Sequence, residues 1–159
     1  MHVLVLGAAG MVGRKLIERI AREGRLGERT IAHVTAADVV APEVVAACKD
    51  GPFPMESVVG DFSAPGEAEK LVAGRPDVIF HLAAIVSAEA EADFDKCFRI
   101  NLDGTRRLFE AVRHTGDAYA PRLVFTSSIA VFGAPFPDAI DDVFLTAPLT
   151  SYGTQKAIG

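Results

Sequence analysis

The sequence predicts an α/β fold, a doubly wound parallel sheet with helices on both faces, and three observations carry that prediction. Short apolar runs that read as buried strands alternate with longer amphipathic runs that read as helices. The first strand-like run ends in three evenly spaced glycines, Gly7, Gly10 and Gly13, directly before an amphipathic stretch. Acidic, small and hydroxylated residues gather at the ends of the other strand-like runs, where a parallel sheet opens its ligand crevice.

Val3-Leu4-Val5-Leu6 is too short for a helix and is bounded by glycine, so it reads as a strand buried on both faces. Gly7 supplies the unusual dihedrals of a tight turn, Gly10 lets backbone approach a ligand, and Gly13 lets the following helix pack on the strand. That helix carries Leu16, Ile17 and Ile20 on one face, and its start offers N–H groups and partial positive charge to a pyrophosphate. The spacing is G-x-x-G-x-x-G rather than G-x-G-x-x-G, and it lacks the G-K-[ST] ending of a P-loop. Three glycines between a strand and a helix also serve close packing alone.

Residues 29–37 read as the second strand, ending at Asp38. A carboxylate there is placed to accept from the 2′-hydroxyl of a dinucleotide ribose and to repel a 2′-phosphate, which favours NAD over NADP. Asp38 stands 25 residues after Gly13, against the usual spacing of about 20, and a helix N-cap is its other reading. Residues 57–62 read as the third strand and its exit, with Asp61 and Phe62 at the adenine position. Residues 77–84 read as the fourth, with Leu82, Ala83 and Ala84 letting a flat cofactor pass; His81 inside it reads as a satisfied core histidine. A helical pattern runs from about Glu89 to His114, with Phe94, Cys97, Phe98, Leu102, Leu108, Phe109 and Val112 on its apolar side. Asn101 interrupts that side, so its amide braces backbone or touches a ligand. Residues 121–128 read as the fifth strand, ending in Thr126, Ser127 and Ser128. A proline-rich loop then leads to a helix start at Thr150–Lys156, where Tyr152 and Lys156 share one face.

Bulk properties narrow the partners. The 159 residues, half of them hydrophobic, suffice for one domain with a real core and not for two. A net charge of −5 without a local Lys/Arg cluster argues against a nucleic-acid partner. Cys48 and Cys97 lie far apart without metal-ligand spacing, which predicts reduced thiols and no metal site. No run is long enough to span a bilayer, and the apolar start lacks the basic flank of a signal peptide. A cytoplasmic protein with no membrane partner is expected.

The strand-end residues converge on one crevice and on one chemistry. A phenol near its ordinary pKa of about 10 is a poor base at neutral pH. The Lys156 ammonium and a positively charged nicotinamide ring would favour its phenolate; a shift of about three pH units takes roughly 4 kcal/mol. Tyr152 is then placed to take a proton from a substrate hydroxyl, with Ser128 hydrogen-bonding the substrate oxygen.

On these residues the chain resembles the N-terminal half of an extended short-chain dehydrogenase/reductase, of the NAD-dependent sugar epimerase/dehydratase family. The matching segments are residues 7–13, 81–84 (His-Leu-Ala-Ala), 101–105 (Asn-Leu-Asp-Gly-Thr), 125–128 (Phe-Thr-Ser-Ser) and 152–156 (Tyr-Gly-Thr-Gln-Lys). Longer stretches, residues 81–95, 125–137 and 151–159, are similar to the D-erythronate dehydrogenase branch, which oxidises the 2-hydroxyl of a four-carbon sugar acid with NAD. The resemblance implies a Rossmann-like domain over residues 1–159, truncated before the substrate-binding lobe, with Ser128, Tyr152 and Lys156 catalytic. It also implies cofactor contacts at Gly7, Gly10, Met11, Val12, Asp38, Asp61, Phe62, Leu82, Ala83, Ala84, Asn101, Tyr152 and Lys156. A sugar-acid substrate is expected, and a homodimer at full length through the long helix and the Tyr-Lys helix. An isolated helix shorter than about 12–15 residues is marginal in water, so residues 1–159 alone are expected to bind NAD weakly and turn nothing over. Two other functions fit the same motifs: a nucleotide-sugar epimerase or dehydratase, and a non-catalytic NAD(P)-sensing regulator.

Overall fold

Side chains that alternate along one short strand build both halves of the core. The computed structural model describes residues 1–159, the side chains at 87, 88 and 91 apart. Strand β1 (His2–Leu6) is the centre of a five-stranded parallel sheet. Its pleat sends Val3 and Val5 to one face, against Ile17, Ile20, Val34 and Phe53. Leu4 and Leu6 go to the other, against Phe62, Val72, Ile79 and Leu108. All four side chains are at most 1% exposed, as a central strand covered on both faces requires.

The other strands are β2 (His33–Asp38), β3 (Met55–Val59), β4 (Val78–His81) and β5 (Arg122–Phe125), in the spatial order β3-β2-β1-β4-β5. The order reverses beside β1, and the crevice opens above that switch point, at the carboxyl ends of β1 and β4. Helices α1 (Met11–Glu23) and α2 (Glu43–Ala47) cover one face. Helix α3 (Glu67–Ala73) covers the other, with a later helix at 104–114. The expected doubly wound Rossmann-like sheet is the observed one. Among the described residues no helix is long and apolar enough to cross a membrane.

Two expectations are corrected. Residues 29–38 do not form one strand: Arg29–Thr30 pairs back on Arg25–Leu26 as a small hairpin, and β2 starts only at His33. The helical pattern from Glu89 to His114 is also not one helix. It is α4 (Ser87–Ala92), α5 (Phe94–Phe98), a π turn at Arg99–Asp103 and α6 (Gly104–His114). Asp93 breaks the first junction in a non-helical conformation, its carboxylate accepting from Lys96 N at 3.0 Å as a cap for α5. The wider π turn offsets the residues before it from those after it, so the apolar positions do not form one stripe. Cys97 and Leu108 are fully buried, whereas Phe94, Phe98 and Phe109 are exposed.

His81 is the buried core histidine that its place in a strand implies, at 1% exposure between Phe62 and Phe125. Thr105 donates its hydroxyl to Asn101 O, so it accepts from His81, which puts the imidazole proton on Nε2. Burial and, second, the Lys156 cation push the imidazole pKa down to about 4. The sign of the linkage follows: the unfolded chain binds a proton below about pH 6.5 that the folded chain refuses until about pH 4. Stability is therefore lost on acidification through that window, about 2 kcal/mol of it between about pH 7 and pH 5. Urea unfolding at the two pH values is expected to show this loss, and His81→Gln, whose amide still reaches Thr105, is expected to lack most of it. An equal loss in both proteins would contradict the burial of a neutral imidazole.

Candidate active site

A cleft of about 620 Å³ lies over the carboxyl ends of the strands, walled by Gly7, Ala9 and Gly10 from the glycine turn. Asp38 and Val39 close one side, Asp61 and Phe62 stand beside them, and Leu82, Ala83 and Ala84 close the other. The turn itself explains the glycines. Gly7 has φ +86°, and a Cβ on it would lie 2.6 Å from Ala83 N, so any side chain would push the turn off the β4 exit. A Cβ at Gly13 would collide with the Gly7 carbonyl oxygen and lie 2.8 Å from Ala8 Cα. Helix α1 therefore seats directly on the turn. No side chain caps its first turn and no acidic residue occupies it, so its leading N–H groups and positive dipole end are available to an anion.

Asp38 does two things at once. Its Oδ2 accepts from Ala9 N at 2.9 Å, tying the end of β2 to the glycine turn, while Oδ1 lies 3.5 Å from Val40 N. Asp61 is more heavily engaged: Ser63 N, Ser63 Oγ and Arg99 Nη1 all donate to it. The Ser63 and Arg99 bonds hold its carboxyl below the usual range despite the opposing effect of burial. Phe62 is buried, and a Cβ on Gly104 would lie 2.9 Å from its ring, so α6 packs tightly behind this wall.

Helix α7 (Ser151–Ile158) approaches from the β5 side. Thr150 caps it by accepting from Gly153 N at 3.0 Å, and Gly153 rests on the Ala130 carbonyl of a 3₁₀ turn at Ile129–Val131. Tyr152 is 8% exposed and packs with Ile85, Ala90 and Cys97. Lys156 is 4% exposed; its ammonium donates to Thr126 O at 2.9 Å and lies 4.6 Å from the Phe125 ring centroid. Burial lowers its pKa to about 8. Of the strand-end hydroxyls, Ser127 donates to Lys156 O at 3.4 Å, while Ser128 accepts from Ala130 N at 3.1 Å and keeps its own proton to donate.

The residues named from sequence thus fall into four sets. Gly7, Gly10, Asp38, Asp61, Phe62, Leu82, Ala83 and Ala84 wall the cleft. Met11 and Val12 stand exposed in the first turn of α1. Ser128, Tyr152 and Lys156 cluster around the end of β5 and the 3₁₀ turn, beside the cleft rather than among its wall residues. Asn101 lies beneath: its amide braces both backbone groups of Ile85, so of its two expected roles the structure shows the first. Lys96, Arg99 and Ile100 also wall the cleft. Sequence reading missed them because they sit in what looked like one helix; the buried Asn101 beside them was the available signal.

The sequence model of the NAD dependent epimerase/dehydratase family matches residues 3–159. The D-erythronate dehydrogenase of Cupriavidus necator is 39% identical over 163 residues, covering 100% of this chain and 48% of that protein. A crystal structure described as a nucleoside-diphosphate-sugar epimerase from Agrobacterium tumefaciens superimposes with a TM-score of 0.93 at 61% identity, over 99% of this chain and 46% of that one. A short-chain dehydrogenase/reductase superfamily protein from the same organism, solved with bound NAD, gives 0.74 at 28% identity, over 99% and 42%. The chain spans about half the length of the curated relatives it matches.

Proposed function

This chain belongs to the NAD dependent epimerase/dehydratase family, and on that premise we propose that it is the NAD-binding domain of a sugar-acid dehydrogenase. The protein, at the length of its relatives, would oxidise D-erythronate to 2-dehydro-D-erythronate. The observation that carries the reading is the cleft itself: a floor only glycine permits at Gly7, an uncapped helix start and a carboxylate at Asp38 suit an extended dinucleotide. NAD, when bound, supplies the hydride acceptor.

The chain's own residues hold it and manage the proton. The first turn of α1, with Met11 and Val12, would meet the pyrophosphate charge, and Asp38 would accept from the adenosine ribose. Asp61 and Phe62 would border the adenine, and Leu82, Ala83 and Ala84 would lie along the flat part of the cofactor. Tyr152 accepts the proton of the substrate hydroxyl, with the Lys156 ammonium four residues on along the same helix. Ser128 donates to the substrate oxygen as it becomes a carbonyl. Asn101 serves through Ile85, next to Ala84. Phe94 and Phe98, exposed and 5.4 Å apart in ring contact, support a homodimer through α5–α6 and α7, which sedimentation of the full-length protein tests.

Asp38→Asn checks the cofactor half of the reading. It keeps the size and removes the charge; a hydrogen bond to a charged group is worth about 1.5–3 kcal/mol. NAD affinity measured by titration calorimetry is expected to fall at least about 10-fold, with the preference over NADP reduced; unchanged affinity would remove Asp38 from the ribose.

A second reading, a nucleotide-sugar epimerase, is favoured by the description of the 61% identical structure. Assaying the full-length protein with NAD separates the two. Saturable, net NADH formation from D-erythronate supports the dehydrogenase, and interconversion of nucleotide sugars without net NADH supports the epimerase. Tight NAD binding with no turnover of either class would leave a cofactor sensor.

A further inference from the structure

Three buried polar side chains meet between the π turn and α7, and one of them has no satisfactory reason to be polar. Asn101 is oriented by Ile85, whose N–H donates to Oδ1 at 2.8 Å and whose carbonyl accepts from Nδ2 at 2.9 Å. The Asn101 amide nitrogen therefore faces Gln155, so the Gln155 oxygen is the acceptor, at 3.0 Å. The same oxygen accepts from Cys97 Sγ at 2.9 Å. This orientation leaves Gln155 Nε2 buried with no partner among the described residues, in a side chain 1% exposed.

Asn101 does not need Gln155 for its own satisfaction. Its two amide hydrogens have three acceptors in reach, the third being Cys97 Sγ at 3.1 Å. A leucine at 155 would fill similar space, orphan no amide and remove a buried donor that goes unmet. What the glutamine supplies is direction. It lies three residues after Tyr152 and one before Lys156 on a helix of eight residues, too short to hold a register unaided.

We infer that Gln155 is a positioning residue: the grip of Asn101 and Cys97 on its side-chain oxygen sets the rotation of α7. It thereby fixes where Tyr152 and Lys156 stand against the strand exit that ends at Ile85. As far as turnover is concerned, this rests on the roles proposed above for Tyr152 and Lys156.

The test uses the full-length protein with Gln155→Leu, and Gln155→Met as a second variant with the same unbranched reach. Acetylation of Lys156 by acetic anhydride, quantified by mass spectrometry against exposed Lys15, reads the register without any need for activity. Both variants are expected to expose Lys156 at least about 10-fold faster while Tm holds or rises. In the same proteins kcat falls at least about 10-fold and KM for NAD stays within about 2-fold. Lys156 as protected as in the parent overturns the inference, as does unchanged kcat in an active protein, or a Tm falling together with activity. A parent that turns over neither a sugar acid nor a nucleotide sugar, with Lys156 exposed only in the variants, removes the catalytic roles and leaves the positioning role standing.

Discussion

Replacing Tyr152 by phenylalanine is expected to lower kcat of the full-length protein by about 10³-fold, within the 10²–10⁴ range of a positioned acid–base group. The phenyl ring fills the same space against Ile85, Ala90 and Cys97, so Tm and NAD affinity are expected to stay near the parent values. That split matters, because a packing defect would move all three together. The pH dependence adds a second check. The Lys156 ammonium, with its pKa lowered to about 8 by burial, is charged below that value and neutral above it. The charged partner of Tyr152 on its helix is therefore lost on the alkaline side, and kcat is expected to decline above about pH 8. Parental kcat in Tyr152→Phe would leave the hydroxyl without a chemical role.

Gly13→Ala is expected to be as damaging to the fold as Tyr152→Phe is to turnover. The atoms its Cβ would meet are backbone, the Gly7 carbonyl and Ala8 Cα, and neither can turn aside as a flexible side chain would. Helix α1 must lift from the turn, pulling Ile17 and Ile20 away from Val3 and Val5. The cost is expected to reach at least the upper end of the usual overpacking range, about 3 kcal/mol, with NAD binding lost as well. Gly10→Ala is the informative contrast. Its Cβ would come within 4 Å of one heavy atom alone, Gly7 O at 3.3 Å, and Gly10 walls the cleft. Stability is expected to change by less than about 1 kcal/mol, and NAD affinity to drop at least about 10-fold. Urea midpoints paired with NAD titrations read both effects. A Gly13→Ala protein with parental stability would mean that the helix does not seat on the turn as described.

Local chemistry explains which features are legible in the sequence. Val3 to Leu6, the glycine turn and Asp38 follow one another within a single strand–turn–helix–strand unit, and each announces itself by residue type and spacing. The walls at Asp61, Phe62 and Leu82–Ala84 came from the same rule, since a parallel sheet presents all its strand exits at one edge. The breaks at Asp93 and Arg99–Asp103 were not legible. The π turn coincides with the Asn101 amide bonded to Ile85, 16 residues earlier, and to Gln155, 54 residues later, and no window of helical periodicity contains those partners. The exposure of Phe94, Phe98 and Phe109 follows from the same offset. Gln155 is not legible in the sequence because it occupies an unspecified position inside Tyr-x-x-x-Lys; only its burial between two donors marks it.

D-Erythronate carrying deuterium at C2 gives the most direct measurement on the full-length protein with NAD. The predicted result is net reduced nicotinamide carrying the label, formed more slowly than from unlabelled substrate, and nearly abolished by Tyr152→Phe. No label on the nicotinamide, or NADH formed equally well without the Tyr152 hydroxyl, would contradict the proposed joint work of the cleft and the Tyr152–Lys156 helix beside it in hydride and proton removal.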